Sequence, residues 1–451
     1  MLNNEDRKKS LISEIKSGNC VAFIGAGFSA PAVHTWTELI DKLAESDQLD
    51  CKVKDQVNEI LRHESKASNP LFDREAAAEL IEANIIKKKS ATGFRKEVLK
   101  ALGRDGTEGE EEVNERLKLL KLIPFDSVLT TNFDSKLSGG QAFHKADLED
   151  LLRNRNRKRG WSDGFDIYGN PKSSPVITLH GDIEDQSDDP QSLVFSRSGY
   201  RKLLFETSNY QSLIRAVFAT KTVVFFGFSF SDAYLNLIRS EVISMLMPHA
   251  EEHGKEHGKK PFAYAVMDDI SEAQVNYLND HEGISAIRYC KKDEKDHSGF
   301  TEILREISEG TNPHNVVKEL LEGKKIVWFD EHPENNQQGI EELKKSMSPE
   351  NIFVENKLEE AKNRLKSEDR IDLLITHWGP KDGSEESNAV SLLKTIKAQN
   401  LPIPTLVFAG KKCAGKRRTE AIKQGAFDYI YEFPDLYSRI DNLFNEHDDA
   451  N

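Results

Sequence analysis

Three short segments, far apart in the chain, carry residue types that can hold an anion, orient a sugar hydroxyl and accept a proton. They are Gly25-Ala26-Gly27-Phe28-Ser29-Ala30, Thr130-Thr131-Asn132-Phe133-Asp134 and Ile177-Thr178-Leu179-His180-Gly181-Asp182. Gly25 and Gly27 lack a Cβ, so the backbone can come close to a phosphate, and N–H groups that open a helix favour an anion. Ser29 adds a hydroxyl donor. Asn132 can hydrogen-bond a ribose or hold a water. His180 can serve as a general base, because imidazole titrates near neutrality. A fourth segment, Gly227-Phe228-Ser229-Phe230-Ser231-Asp232, offers close approach at Gly227 and a hydroxyl for ribose or phosphate at Ser229.

Each segment also has a plainer reading. Gly-Ala-Gly after a strand is often a tight βα turn. Asn132, Asp134 and Asp232 can cap the helices that follow them. His180 can be a satisfied buried histidine. What separates the readings is whether the segments meet. Each follows a short apolar run that reads as a buried parallel strand: 20–24, 126–130, 175–180 and 222–227. In an open α/β sheet the residues past the carboxyl ends of such strands line one crevice. The four segments are therefore expected to converge on one nucleotide.

The elements between them support this frame. A short amphipathic helix over 8–18 leads into the first strand, and a helix over 37–46 follows the glycine loop. Residues 52–120 have helical spacing throughout, too long for one crossover, so about 40–120 reads as a helical insertion beside the sheet. A single helix is expected over 197–219 and another from Asp232 to Met247. Strands at 262–267 and 284–289, with helices at 271–280 and 299–308, complete the first domain, residues 1–310. A linker at 311–323 precedes a fresh pattern of five strands alternating with five helices, which indicates a doubly wound, flavodoxin-like α/β domain over 324–451.

The ordered set of motifs resembles the sirtuin (SIR2-like) NAD-binding family over roughly residues 10–308. GAGFSA is similar to the family's GAGxS phosphate loop, TTNFD to the TxN-x-D element of its bacterial branch, ITLHGDI to the element with the family histidine, and GFSFSD to a later G-x-S-x-x-D segment. The resemblance implies a Rossmann-type sheet binding NAD+ through Gly25, Ala26, Gly27, Phe28, Ser29, Thr131, Asp134, Gly227 and Ser229. Asn132 would orient the nicotinamide ribose and a water, and His180 would be the base. Deacylase sirtuins carry a zinc ribbon with two Cys pairs. The cysteines here, Cys20, Cys51, Cys290 and Cys413, form no such pairs, so no zinc is expected. Resemblance then points to the bacterial SIR2-like NAD hydrolases (NADases) of antiphage defence, which cleave NAD+ to nicotinamide and ADP-ribose and halt the infected cell (abortive infection). The alternatives are an NAD-dependent deacylase or ADP-ribosyltransferase, and a non-catalytic scaffold that senses NAD+ or ADP-ribose.

Residues 324–447 resemble a response-regulator receiver domain with altered chemistry. Asp330 and Glu331 match its acidic pair. His377 stands where the phosphoacceptor Asp belongs, Ala409 at the switch Thr/Ser, and Glu432 at the family Lys. The expectation is a pseudo-receiver that regulates, assembles or docks. An always-active NADase would kill its host, so a homo-oligomer or a defence partner, with an ATPase among the candidates, is expected to restrain it.

Bulk properties narrow the field. A net charge of −14 disfavours a broad phosphate-binding surface, so no direct nucleic-acid binding is expected, although Arg153–Arg159 is a local basic run. Few cysteines, a polar start and apolar runs too short to span a bilayer fit a cytoplasmic protein without membrane attachment.

Overall fold

The computed structural model describes residues 3–30, 32–62, 70–103, 108–137, 143–145, 161–181, 183–184, 193–206, 210–228, 230, 233–246, 261–291, 296–367, 370–379, 387–411 and 414–445. Asp182, residues 185–192, the basic run 153–159, Ser229, Asp232, residues 249–260 and Cys413 lie outside the described residues. The chain divides into two compact units. The first comprises Met1–Arg157 and Ser173–Ser308, the second Lys158–Lys172 and Glu309–Asn451.

The first unit is built on a seven-stranded sheet in the order β3-β4-β2-β1-β5-β6-β7. Its strands are β1 (Cys20–Ile24), β2 (Ser127–Thr130), β3 (Phe143–Lys145), β4 (Ser174–Thr178), β5 (Thr222–Phe226), β6 (Ala263–Asp268) and β7 (Ile284–Tyr289). Every pairing is parallel. Without β3 this is the doubly wound Rossmann order, with β1 at the centre and the direction of winding reversing between β1 and β5. The central strands are β-branched and aromatic, and all five residues of β1 and of β5 are buried, as strands covered by helices on both faces must be. Register matches too: Ile24 pairs with Thr130 and with Phe226, and Thr130 with Thr178. Four strands therefore end side by side, and the four motifs leave from one edge of the sheet.

Helix α1 (Asn4–Lys16) opens on a capping box in which Asn3 and Asp6 satisfy each other's backbone N–H. The helical insertion comprises α2 (Trp36–Ala44), α3 (Cys51–Arg62), α4 (Pro70–Lys89), α5 (Ala91–Leu102) and α6 (Glu108–Leu122). It has its own core, with Leu39, Ile40, Ile81, Phe94 and Val98 at its centre, and that core also takes in Leu193 and Phe195 from the chain after β4.

Two elements differ from the sequence expectation. The helix expected over 197–219 is two helices, α7 (Arg197–Phe205) and α8 (Tyr210–Thr220). The first of them closes on Glu206, whose amide donates to the Lys202 carbonyl at 2.8 Å. Strand β3, three residues long, was not expected; it is too short for an alternating pattern to register. The unit ends with α9 (Ala233–Leu246), α10 (Glu272–Glu282) and α11 (Ser298–Thr311).

The second unit holds α12 (Pro313–Leu320) and five parallel strands: β8 (Ile326–Phe329), β9 (Ile352–Glu355), β10 (Leu373–Thr376), β11 (Thr405–Phe408) and β12 (Asp428–Ile430). Their order, β12-β11-β10-β8-β9, is the flavodoxin-like 2-1-3-4-5 arrangement. Helices α13 (Gln337–Lys345), α14 (Leu358–Lys366), α15 (Asn388–Ala398), α16 (Ala414–Lys423) and α17 (Phe433–Asn445) alternate with the strands. An added piece comes from far upstream. Trp161 and Phe165, at 2% and 0% exposure, form a cluster with Val316 of α12. The indole N–H of Trp161 donates to Asp441 at 3.3 Å, and the Ser162 amide donates to Ser438 at 3.3 Å. A segment lying between β3 and β4 in sequence thus belongs to the core of the second unit.

Candidate functional site

The glycine loop at the end of β1 is one turn of 3₁₀ helix, Ala26–Phe28. It packs directly on the loop after β5. The Gly25 amide donates to the Phe226 carbonyl and the Gly27 amide to the Gly227 carbonyl, both at 2.9 Å. A Cβ on Gly25 would lie 2.5 Å from the Gly227 oxygen, and one on Gly227, where φ is +61°, would lie 2.1 Å from the Phe28 nitrogen. The glycines are therefore required first by loop-on-loop packing. The Phe28 and Ser29 amides also bond within the loop, to Gly25 and Ala26. Ala26 and Gly27 form its accessible edge. Gly25→Ala is expected to cost about 1–3 kcal/mol through overpacking. A denaturant midpoint for the first unit equal to that of the wild type would refute this.

Phe28 plays two parts. Its ring is fully buried in the core, edge-on to Phe300 at 5.9 Å, so it does not line the crevice. Its carbonyl accepts from Arg116 of α6 at 2.8 Å. Arg116 is 1% exposed, donates also to Thr301 at 3.3 Å, pairs with Glu112 and lies over the Phe300 ring. Burial depresses its pKa and Glu112 opposes that shift. The insertion thus anchors the glycine loop through a buried charge, a contact that no local sequence pattern signals.

At the end of β2, Thr130 organises the turn. Its hydroxyl donates to the Ile24 carbonyl and accepts from the Asn132 amide, each at 3.0 Å. Thr131, half-buried, bonds through its amide to Ile24 at 3.4 Å. Asn132 is 6% exposed and Ser29 1%. The Asn132 amide group donates to the Ser29 hydroxyl at 3.5 Å, and both side chains hydrogen-bond to Asp134. Burial pushes the Asp134 carboxyl up, while the Lys136 amide, Ser29 and Asn132 pull it down. Asn132 Oδ1 is buried and has no hydrogen-bond partner among the described residues. A buried acceptor left open costs free energy unless something fills it, so this oxygen marks a place for a ligand or water.

His180 follows β4 and is 7% exposed. Its carbonyl accepts from Val194 at 2.8 Å, and Gly181 bridges to Leu193. Phe133 tilts against its ring at 6.4 Å and contacts Phe195 at 5.9 Å, which in turn meets Phe94 of the insertion at 5.1 Å. Tyr200 of α7 meets the imidazole edge-on at 4.8 Å, with its hydroxyl hydrogen-bonded to Nε2. The structure therefore brings Ser29, Asn132 and Asp134 into direct contact and ties Gly227 to the glycine loop. It sets His180 on the neighbouring strand end, across Phe133. Sequence reasoning did not single out Arg116, Phe195 or Tyr200. Tyr200 could have been suspected only from its place in the first helix after the histidine loop.

A family model described as a SIR2-like domain matches residues 126–287, the stretch that carries Asn132, His180 and Gly227. That stretch is similar to SIR2-like domains. Among curated proteins it is similar to the NAD(+) hydrolase ThsA of Enterococcus faecium, 24% identical over 54% of this chain and 45% of that protein. The NAD(+) hydrolase ThsA of Cytobacillus dafuensis is 23% identical over 62% of this chain and 47% of its own length. That of Bacillus cereus (strain MSX-D12) is 21% identical over 75% and 63%. The chain thus spans about half the length of the relatives it matches. Within the first unit the matched region leaves out β1 and its glycine loop, whose place beside the matched strands rests on the sheet order. Among the described residues, no group of three or more His, Cys, Asp or Glu side chains could hold a metal ion, and no helix is long and apolar enough to cross a membrane.

In the second unit, the residues expected at receiver positions follow the strands. Asp330 is buried, and both its oxygens are engaged, by the His332 amide at 2.9 Å and by Asn336 at 2.7 Å. His377 follows β10, and its Nδ1 accepts from the Gly379 amide at 3.2 Å. Ala409 is buried and Glu432 exposed.

Proposed function

We propose that the protein hydrolyses NAD+ to nicotinamide and ADP-ribose. The observation that carries this is the open, buried acceptor of Asn132, set beside Ser29 and Asp134 at the sheet edge that also bears His180. In this reading Asn132 orients the nicotinamide ribose and a water. The bond from ribose C1′ to the nicotinamide nitrogen breaks and its electron pair leaves with nicotinamide. The water oxygen bonds to the oxocarbenium-like carbon, and His180 takes its proton. Gly25, Ala26, Gly27, Ser29, Thr131 and Gly227, with the Phe28 backbone, face the dinucleotide. Phosphate binding at the loop then requires amides now bonded within and between loops to exchange partners. The names of the similar proteins support NAD+ as the substrate.

The insertion supports water as acceptor, because its Phe94 packs on Phe195, which backs the Phe133 ring beside His180. Nicotinamide release measured with and without an acetylated peptide tests this. Equal rates are expected; strong stimulation by the peptide would instead indicate deacylation.

On this proposal residues 1–310, apart from the 158–172 segment that belongs to the second unit, form the catalytic domain and 324–451 a receiver-like regulatory domain of a cytoplasmic antiphage enzyme. A homo-oligomer or a partner protein restrains it. Asp330 has both oxygens occupied and His377 replaces the acceptor, so acetyl phosphate is expected not to label the second unit. An acid-stable, hydroxylamine-labile phosphoryl group there would contradict the pseudo-receiver reading.

A further inference from the structure

The histidine that would act as base is itself held. Its backbone is fixed by the Val194 amide at 2.8 Å and by the Gly181–Leu193 bridge, two contacts that pin β4 to the chain entering α7. Its ring is gripped from α7: the Tyr200 hydroxyl bonds Nε2, and the phenol ring meets the imidazole edge-on at 4.8 Å and 77°. Helix α7 is in turn anchored where it begins. Ser196 caps it by accepting from Gly199 at 3.3 Å, and Glu79 of the insertion accepts the Ser198 amide at 3.0 Å. Buried Glu82, whose pKa is raised mainly by burial, hydrogen-bonds the same Ser196. The helix that presents Tyr200 is thus braced from two sides.

We infer that Tyr200 is the positioning residue for His180, its hydroxyl setting the orientation of the imidazole. This rests on the reading of His180 as the base. A fixed hydroxyl at Nε2 restricts rotation of the ring, and for Nδ1 to take a proton from water Nε2–H must donate to the Tyr200 oxygen. Phenol packing alone would not do this. The Tyr200 ring is half-buried against the core of Leu204, Ile214 and Leu235, and a phenylalanine would fill the same space.

Tyr200→Phe therefore separates the two roles. With NAD+ as substrate, kcat is expected to fall by about tenfold or more, within the 10²–10⁴-fold that a positioned base contributes, while KM and the melting temperature stay at wild-type values. Unchanged kcat would overturn the inference. A readout independent of turnover is the imidazole Cε1–H resonance of His180, assigned by its loss in His180→Ala. It is expected to move in Tyr200→Phe; an unmoved resonance would also overturn the inference. Failure of the underlying reading looks different: His180→Ala would then keep wild-type turnover.

Discussion

On the proposed hydrolysis, alanine at His180 is expected to lower nicotinamide release from NAD+ by about 10²–10⁴-fold, the contribution of a positioned general base. The residue sits at a strand end with little exposure, and its ring is held by Tyr200 and Phe133. Removing the imidazole leaves the sheet register and the Val194 bond to its backbone intact, so the loss should appear in kcat with the fold preserved. Asn132→Ala should be comparably damaging for a different reason. It deletes the open Oδ1 and also the amide that meets Ser29 and Asp134. Asp134 would then lose a hydrogen bond that favours its charged form, and KM for NAD+ should rise along with the fall in kcat. The check is steady-state kinetics of both variants beside circular dichroism. Wild-type rates in both would remove these residues from the mechanism.

The second large effect concerns stability. Trp161→Ala is expected to destabilise the second unit by about 3–5 kcal/mol, the usual cost of emptying a buried tryptophan site. Trp161 is 2% exposed, packs edge-on to Phe165 at 6.1 Å, and donates to Asp441 of α17. Losing it opens a cavity beside α12 and leaves the Asp441 carboxylate without the indole donor. Denaturant unfolding should show the loss in the transition of the second unit. Trp161→Phe, which keeps most of the volume but not the N–H, should cost less. An unfolding curve for Trp161→Ala that overlays the wild type would show that the segment contributes little to that core.

How much of this was legible in the residues depended on periodicity and length. Both parallel sheets could be read, because strands such as Val223-Val224-Phe225-Phe226 are apolar on both faces and alternate with amphipathic helices. The convergence of the glycine loop, Asn132, His180 and Gly227 on one sheet edge followed from strand ends alone, and the sheet order places them there. The role of the glycines was only half legible. Their spacing suggested approach to a phosphate, whereas in the structure Gly25 and Gly227 first allow one loop to lie on the other. Arg116 and Tyr200 were invisible because each acts across the tertiary fold, at a sequence separation that no local pattern encodes. The docking of Trp161 into the second unit was hidden for the same reason. That α7 and α8 are separate helices was not legible, because the apolar spacing over 197–219 reads as one continuous helix.

The central claim is tested most directly by incubating the protein with NAD+ and quantifying nicotinamide and ADP-ribose by chromatography. The account predicts that the two appear in equal amounts and that His180→Ala abolishes both. NAD+ that binds and is recovered intact from the wild type, with the same affinity in His180→Ala, would contradict hydrolysis and leave a nucleotide-sensing scaffold in its place.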